Sequence, residues 1–490
     1  MKLQGLLDIL HIDRQLIDRK DLNQELAGVT DDSREVKEGF VFVAVRGYRV
    51  DGHNYIEEAI SNGASVIVCE EKLDHLSIHF LQTDNCRKAL GLIASEFYGN
   101  PSFEKIVIGV TGTNGKTTTS HLIKHLCEKN GYSCSMFGTI DYIVNDQAVP
   151  GIQTTPSAPV LQRLLAESKD DIVVMEVSSH GLEQYRLEGI AFDYCVFTNL
   201  HQDHLDYHSS MENYFSAKSK LFYIMKETGE AVINTDDHWG EKLAEQLTED
   251  SITHETVGRM KTCDYEIIRI SPESSSAVIS EEKREVTVRS PLKGTHNVYN
   301  TLQAYAVGRL LGLTPEKINT ALESFQGVCG RFEMYRLENE VTVVIDYAHT
   351  ADSISHTLET VGSQGAASIT HVFGFRGDRD EKKRKDMLEA SVHLSDAYIL
   401  TCDDLNTVPY DQMIETLEML QSSSGEEHGR IIPDRTLAVE EAIMNSDKGD
   451  WVLITGKGHE SYQQEFHYPT TSDKETVEYI HSRLKEYEKI

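Results

Sequence analysis

The sequence predicts a three-domain α/β protein, with a parallel-sheet domain at its centre and a doubly wound α/β domain after it. Three observations predict this. At 490 residues the chain is too long for one ordinary domain. Short apolar runs ending in Gly, Thr, Asp or Asn alternate with helical patterns along its length. One such junction, "KIVIGVTGTNGKTTTSHLIKHLCEKNG" from Lys105 to Gly131, breaks from an apolar run into threonines and glycines, then resumes an amphipathic pattern.

The first region, 1–102, holds the strands "GFVFVAVRG" and "GASVIVCEE" between helical stretches, and "YGNPS" at Tyr98–Ser102 reads as a linker. The second, 103–329, opens with a buried strand at Ile106–Val110. A helix at Lys116–Lys129 follows, with Leu122, Ile123, Leu126 and Cys127 on one face and Asn130-Gly131 as its stop. "DIVVMEVSS" is a second buried strand, ending in the carboxylate of Glu176, and "FDYCVFTNL" a third, ending at Asn199. Residues 261–290 are β-rich, and "GTHNVYNTLQAYAVGRLLG" is a helix that returns to the core. The third region, 330–490, has the strands "VTVVIDYAH", "THVFGF", "DAYILTCDD" and "DWVLITGKGH". Ligands of such sheets sit beyond the carboxyl ends of the strands.

Composition narrows the class. An apolar content of 39% with 26% charged residues is that of a soluble globular protein. A net charge of −32 excludes a nucleic-acid or anionic-membrane partner, since either needs a basic face. It leaves room for an anionic small substrate held by a few local cations. The eight cysteines form no C-x-x-C pair and no zinc spacing, which predicts reduced thiols. The N-terminal "MKLQGLLDILHIDRQ" lacks a signal-peptide core and no apolar run is long enough to span a bilayer, so a cytoplasmic protein is expected.

In "TGTNGKTT" the glycines let backbone N–H groups approach an anion, and the following helix N-terminus adds a favourable dipole. Lys116 can reach outer phosphates and the Thr117 hydroxyl can ligate magnesium. Position 110 is Val, so this is a variant of the usual phosphate-loop spacing. A Gly-rich turn kept for packing alone is the plainer alternative. Magnesium with ATP asks for more hard oxygen donors, and Glu176 at a neighbouring strand tip is placed by topology to be one. "TNLHQDHLDYH" then sets His201, Asp203, His204, Asp206 and His208 within eight residues. A magnesium-binding loop, a zinc cluster and a solvated helix-capping loop are the three readings of that run.

"TGTNGKTT", "TTP", "EVSSHGLEQYR", "TNLHQDHLDYH", "AKSKLF", "GTHNVYN", "GRFE" and "DYAHT" occur in this order. Together they resemble the Mur ligases of peptidoglycan precursor synthesis, in the MurE type (the UDP-N-acetylmuramoyl-tripeptide synthetases). The resemblance spans the whole chain, and "DDSREVKEGFVFVAVRGYRVDGHNYIEEAISNGA" is similar to the UDP-binding domain shared by the MurE and MurF types. It implies a UDP-muramoyl-substrate domain at 1–102, a central ATPase domain of phosphate-loop type at 103–329 and an amino-acid-binding domain at 330–490. The implied activity is ATP-dependent addition of the third amino acid to UDP-N-acetylmuramoyl-L-alanyl-D-glutamate through an acyl phosphate, with Mg2+ as cofactor and the protein a monomer.

The resemblance implies catalytic roles for Lys116, Glu176, His204 and Lys218. Thr117, Glu176, His204 and Lys218 would be the metal ligands, Lys218 as its N6-carboxylated form. For ATP it implies Gly112, Thr113, Asn114, Gly115, Lys116, Thr117, Thr118, Asn297, Asn300, Arg331 and Asp346. Ser33, Thr154, Thr155, Ser178, Gln184 and Arg186 fall to the UDP-muramoyl dipeptide, where a guanidinium fork suits a carboxylate. Arg379, Asp403, Asp404, Leu405, Asn406, Gly456 and Glu460 fall to the incoming amino acid.

The departures lie in the third region. Family members carry D-N-P-R or D-N-P-A where this chain reads Asp403-Asp404-Leu405-Asn406. Asn406 thus replaces the arginine expected to pair the distal carboxylate of diaminopimelate, while Asp403 and Asp404 would favour a cationic end. Ala351 and Lys385 stand where prolines are usual, which predicts looser loops. The sequence therefore predicts an active ligase whose amino acid is neither standard choice, a paralogue with altered amino acid or acceptor. The alternatives are the MurF type, a folylpolyglutamate synthetase, or a non-catalytic nucleotide-binding protein on the same fold. "EVSSHGLEQYR" and "DHLDYH" weigh against the first two, and retention of all five ATP-site groups against the last.

Overall fold

The computed structural model describes residues 1–13, 20–47, 50–72, 79–271, 275–424 and 428–487. Arg14 and Gln15 of the N-terminal stretch, and Tyr48 and Arg49 of the quoted UDP-domain segment, lie outside the described residues. The chain forms two compact units, residues 1–111, 131–196 and 216–231 in one and residues 112–130, 197–215 and 232–490 in the other.

In the first unit, Gly28–Thr30, Phe40–Val43, Ala64–Cys69 and His79–Gln82 form a four-stranded parallel sheet in that order. Its strands read as unbroken apolar runs because both faces are covered. Val41, Val43, Val66 and Val68 pack on one side with Leu90 and Ile93 of the helix Cys86–Phe97. Phe42, Ala44, Ile67 and Cys69 pack on the other with Ile56 and Ala59. The same unit carries Phe192–Phe197, Ile106–Thr111, Ile172–Glu176, Cys134–Phe137, Asp141–Val144 and Gln147–Pro150 in sheet order. Ile172–Glu176 is parallel to both of its neighbours, and the last two strands add antiparallel edges. The "YGNPS" segment turns at Tyr98–Asn100 into the short helical turn Pro101–Glu104, where Pro101 and Ser102 are buried and Ser102 Oγ accepts from the Ala191 amide at 3.2 Å. It is a packed joint rather than an open linker.

The second unit begins with the helix Lys116–Lys129, on which Leu122, Ile123, Leu126 and Cys127 are all buried. Asn130 closes it and Gly131 follows at φ +90°. The β-rich stretch expected at 261–290 is a meander of Tyr265–Ser271, Ser276–Glu281 and Arg284–Arg289 beside His254–Gly258. The helix Thr295–Leu310 then buries Val298, Leu302, Tyr305 and Ala306.

The last sheet runs Glu333–Arg336, Thr342–Asp346, Trp451–Thr455, Ile369–Phe375, Ala397–Cys402 and Gly429–Ile431, parallel except for its first pair. Alternate residues again separate to two faces. Val344, Phe373, Leu400 and Leu453 join one core and Val343, Val372, Ile399 and Val452 the other. All four strands named from the sequence are present. Their carboxyl ends bring Asp346, Arg376, Asp403 and Gly456 to one edge, which is where the chemistry collects.

The missing prolines do not loosen this domain. Ala351 is the first residue of the helix Ala351–Ser363, capped by Thr350 and Ser353 in a reciprocal capping box. Lys385 lies within the helix Lys383–Leu394 and pairs with Glu389 at 3.5 Å. The looser loops expected from the sequence are instead helical, and at Ala351 the capping box does what a proline at the first turn would otherwise do.

Candidate functional site

The turn after Ile106–Thr111 is held in shape by glycine. Gly112 has φ +149°, and a Cβ there would run into Thr198 Oγ1 and the Asn199 backbone. Gly115, at φ +83°, lies against the Asn300 amide just before the helix starts. The Thr113 and Asn114 amides donate to Asn199 O and Oδ1, both at 2.9 Å, and Thr198 Oγ1 donates to Asn114 O at 2.6 Å. Lys116 Nζ folds over the turn and donates to the carbonyls of Gly112 and Thr113 at 2.9 and 2.8 Å. Thr117 and Thr118 are buried in the first turn of the helix. Asn300 Nδ2 donates to Asn297 Oδ1 at 3.1 Å, so both predicted nucleotide-side asparagines are brought to this loop. A cation beside a helix N-terminus on such a turn is an anion site.

Two groups from the last sheet domain, Arg331 and Asp352, reach the same loop. Arg331 Nη2 donates to Thr117 Oγ1 at 3.2 Å, with its guanidinium 4.2 Å from the centre of the Tyr347 ring. Asp346 fixes the approach, accepting from the amides of Phe332 and Ala348 at 2.7 and 2.8 Å. Burial pushes its carboxyl up against the pull of Arg331. Asn114 Nδ2 donates to Asp352 at 3.1 Å, and His201 and His356 also face that carboxylate at 3.5 and 3.3 Å. Asp352 escaped the sequence reading; its only signal was its place two residues beyond the "DYAHT" run.

The His/Asp-rich segment divides. Asp206 is exposed, and His208 is buried with its ring centre 5.1 Å from that of Tyr214. His204 sits at φ +54°, a left-handed conformation costing about 1–2 kcal/mol for a residue with a Cβ. Its amide donates to Asp203 at 3.0 Å. Asp203 also faces His349 Nε2 at 3.7 Å and Lys383 Nζ at 3.3 Å. Burial pushes this carboxyl up, but His349, His204 and Lys383 together overcome it and hold it well below the usual carboxylate range.

A depressed carboxylate stabilises the fold above its unfolded value, near pH 4, and the contribution fades as pH falls through the depressed value. Asp203→Asn should therefore cost about 2 kcal/mol at pH 7 and clearly less at pH 3. Urea unfolding of both proteins at the two pH values measures this; an equal cost at both would reject it.

A second network lies in the first unit. Both oxygens of Glu176 accept from Thr139, its amide at 3.0 Å and its hydroxyl at 2.9 Å. Thr139 Oγ1 meets Thr154 Oγ1 at 3.1 Å, and Thr155 Oγ1 donates to Glu176 O at 3.0 Å. Ser178 donates to Thr155 Oγ1 from its amide at 2.9 Å and its hydroxyl at 3.0 Å. Arg186 donates to Thr155 O at 2.6 Å and Gln184 Oε1 at 2.8 Å. Five of the six residues predicted for the UDP-muramoyl dipeptide are thus joined around Glu176. Ser33 is in a separate network, donating to Glu58 at 2.7 Å. Thr139 was missed because nothing in "FGTIDY" marks one threonine. Lys218, also in this unit, is only 1% exposed at the end of the helix Met211–Ser219.

At the strand tips of the last domain the structure corrects the charge read for Asp403 and Asp404 and adds an arginine. Arg379 is exposed, and the arginine that meets Glu460 is Arg376. Asp403 and Asp404 do not present free negative charge. The buried Lys457 Nζ donates to Asp404 at 2.7 Å and approaches Asp403 at 3.4 Å. Burial pushes the Asp403 carboxyl up, and Arg376, Arg435 and Lys457 pull it below its ordinary value. Leu405 and Asn406 complete a tight turn, with Asn406 at φ +51° donating from Nδ2 to Gly377 O at 2.7 Å.

A phosphate loop with cations and carboxylates supplied by a second α/β sheet defines a multidomain nucleotide-site protein. Comparison with known proteins specifies it. Residues 110–308 match the Mur ligase middle domain, 330–458 the Mur ligase glutamate ligase domain, and 25–98 the Mur ligase family catalytic domain. A UDP-N-acetylmuramoyl-L-alanyl-D-glutamate–2,6-diaminopimelate ligase of Bacillus velezensis is 38% identical over 475 residues, covering 95% of each chain. One of the same description from Fusobacterium nucleatum is 36% identical over 458 residues, covering 92% of this chain and 93% of its own. The chain belongs to the Mur ligase family. The solved structure of a ligase with that description superposes at a TM-score of 0.70 with 29% identity, covering 99% of both chains. MurF of Thermotoga maritima, solved with ADP, shares the fold at a TM-score of 0.66 and 22% identity, covering 94% of this chain and 98% of its own.

Proposed function

We propose that this protein is an ATP-dependent, ADP-forming ligase that joins an amino acid to the D-glutamate of UDP-N-acetylmuramoyl-L-alanyl-D-glutamate in peptidoglycan precursor synthesis. The observation that carries it is the convergence of Arg331, Asp352 and Lys383 on the phosphate loop and its neighbouring histidine segment. A nucleotide held there meets charge from two parts of the chain. Names of relatives 36–38% identical over most of the chain support the same substrate.

A free carboxylate resists amines because it is anionic and has no leaving group. Transfer of the γ-phosphoryl group from ATP to the D-glutamate side chain supplies one, and the amine of the amino acid then displaces phosphate to form the amide. Charge on the transferring phosphoryl oxygens is met by Lys116 and Arg331 and by the amides that open the helix Lys116–Lys129, so the rate comes from positioning and electrostatics. Gly112 to Thr118, Asn297, Asn300 and Asp346 hold the nucleotide. Ser33, Thr154, Thr155, Ser178, Gln184 and Arg186 hold the UDP-muramoyl dipeptide.

Magnesium fits the donor chemistry. Among the described residues no three His, Cys, Asp or Glu side chains form a metal cage, as suits an ion that takes one or two carboxylates, waters and substrate phosphates. Thr117, Glu176, His204 and carboxylated Lys218 would hold it, and when bound it neutralises phosphate charge. Residues 1–102, 103–329 and 330–490 would be the muramoyl, ATPase and amino-acid domains. The protein would act as a cytoplasmic monomer without nucleic acid or membrane insertion. No described helix is long and apolar enough to cross a membrane.

The test is phosphate release from ATP with UDP-N-acetylmuramoyl-L-alanyl-D-glutamate and a panel of meso-diaminopimelate, L-lysine, L-ornithine and neutral amino acids, with product masses read in parallel. Release that needs both the dipeptide and one amino acid is expected. ATP hydrolysis indifferent to both would make the protein a nucleotide switch instead.

A further inference from the structure

We propose that Arg376 is a specificity-determining residue for the incoming amino acid, supplying the guanidinium that pairs a carboxylate at the far end of its side chain. The inference rests on the ligase reading above and names its amino-acid class. The charges at the strand tips form two tiers. Below, Lys457 is 1% exposed and neutralises Asp403 and Asp404, whose side chains are 2% and 6% exposed. Above, at the mouth, stand Arg376 and Glu460, 20% and 28% exposed and paired with each other.

Arg376 is placed by its surroundings. Nη2 donates to Gly456 O at 3.1 Å and to Glu460, Nε lies 3.6 Å from Asp403, and the guanidinium is 5.8 Å from the Tyr347 ring centre. Tyr347 in turn donates to Glu460 at 2.9 Å. Nη2 is committed to Gly456 O and Glu460, but Nη1 has only a long 3.5 Å approach to Glu460, which leaves an Nη1 N–H for a carboxylate. Asn406 cannot supply the positive charge, because its amide is neutral, and one of its Nδ2 donors is held by Gly377 O within its own turn. A side chain ending in a bare ammonium meets a guanidinium, with Glu460 and Asp403 already paired. A side chain ending in a carboxylate gains a charge-assisted hydrogen bond from Nη1.

The experiment compares wild type, Arg376→Gln and Arg376→Lys in steady-state phosphate release with meso-diaminopimelate and L-lysine. Wild type should favour diaminopimelate by about 100-fold or more in kcat/KM. Arg376→Gln should bring that ratio within about tenfold, mainly through the KM of diaminopimelate, and Arg376→Lys should recover part of it. KM for ATP and for the UDP-muramoyl dipeptide should stay within about twofold in each variant, which verifies folding. A wild type that prefers lysine, or an unchanged ratio in Arg376→Gln, overturns the proposal. Silence with every amino acid would count against the ligase reading instead. Calorimetric titration of meso-diaminopimelate into wild type and Arg376→Gln then decides the role of Arg376 by itself: equal affinity, or no binding to either, overturns it.

Discussion

Lys116→Ala is expected to lower kcat/KM for ATP by about 10³-fold while leaving the fold intact. Lys116 is the first residue of the helix Lys116–Lys129, and its Nζ rests on the Gly112 and Thr113 carbonyls. Those are neutral acceptors, so the ammonium can turn to a phosphate oxygen at little cost. Alanine at a helix start keeps good propensity, and the glycine contacts that shape the turn do not involve the lysine side chain. Arg331 would remain as the chief cation at Thr117, and it cannot replace a compact point charge inside the turn. Lys116→Arg should fail for the same reason, since a planar fork needs room the turn does not have. The measurement is phosphate release with saturating dipeptide and amino acid, alongside thermal unfolding of each variant. More than a tenth of wild-type activity in Lys116→Ala would remove this residue from the phosphate site.

The second large effect is expected at Lys218. Its side chain is buried to 1% exposure in the first unit. A neutral amine adds to CO2 and loses a proton, becoming an anionic carbamate that suits magnesium. Lys218→Ala and Lys218→Arg should each lose about 10²- to 10³-fold in kcat, because neither can carry the carbamate. The arginine variant matters most, as it retains positive charge. A 13C signal from labelled bicarbonate, present in wild type and missing from both variants, is the direct check. Full activity in Lys218→Arg, or no labelled carbon in wild type, would sink the carbamate assignment.

The parts of the site legible in the sequence are the local ones. The Gly112–Thr118 turn, its helix and the carboxylate at the end of Ile172–Glu176 follow from residue type and spacing within short segments. The eight motifs in register extended that reading to the right family. Glycine positions were readable too, because a left-handed φ and a close backbone approach exclude side chains wherever they occur. The contacts from Arg331 to Thr117 and Asn114 to Asp352 were not readable, being 214 and 238 residues apart along the chain.

Charge was the least legible property. Asp403 and Asp404 read as bare negative charge, and Asn406 as a lost arginine. The fold puts Lys457 beneath the first two and Arg376 above them. Arg379 was legible because it lies in the expected motif, whereas Arg376 was not, because only the fold sets it beside Glu460. The absent prolines misled in the same way: what Ala351 does depends on Thr350 and Ser353 closing a cap around it.

The sequence by itself determined the order of strands and helices, the anion-binding turn and the family, because each rests on periodicity, steric limits or motifs along a continuous stretch. Tertiary structure decided which charges remain available at the strand tips of the last sheet. The free energy of a buried charge depends on its nearest partners, and here Asp403, Glu460 and Arg376 take theirs from segments 27 to 84 residues apart.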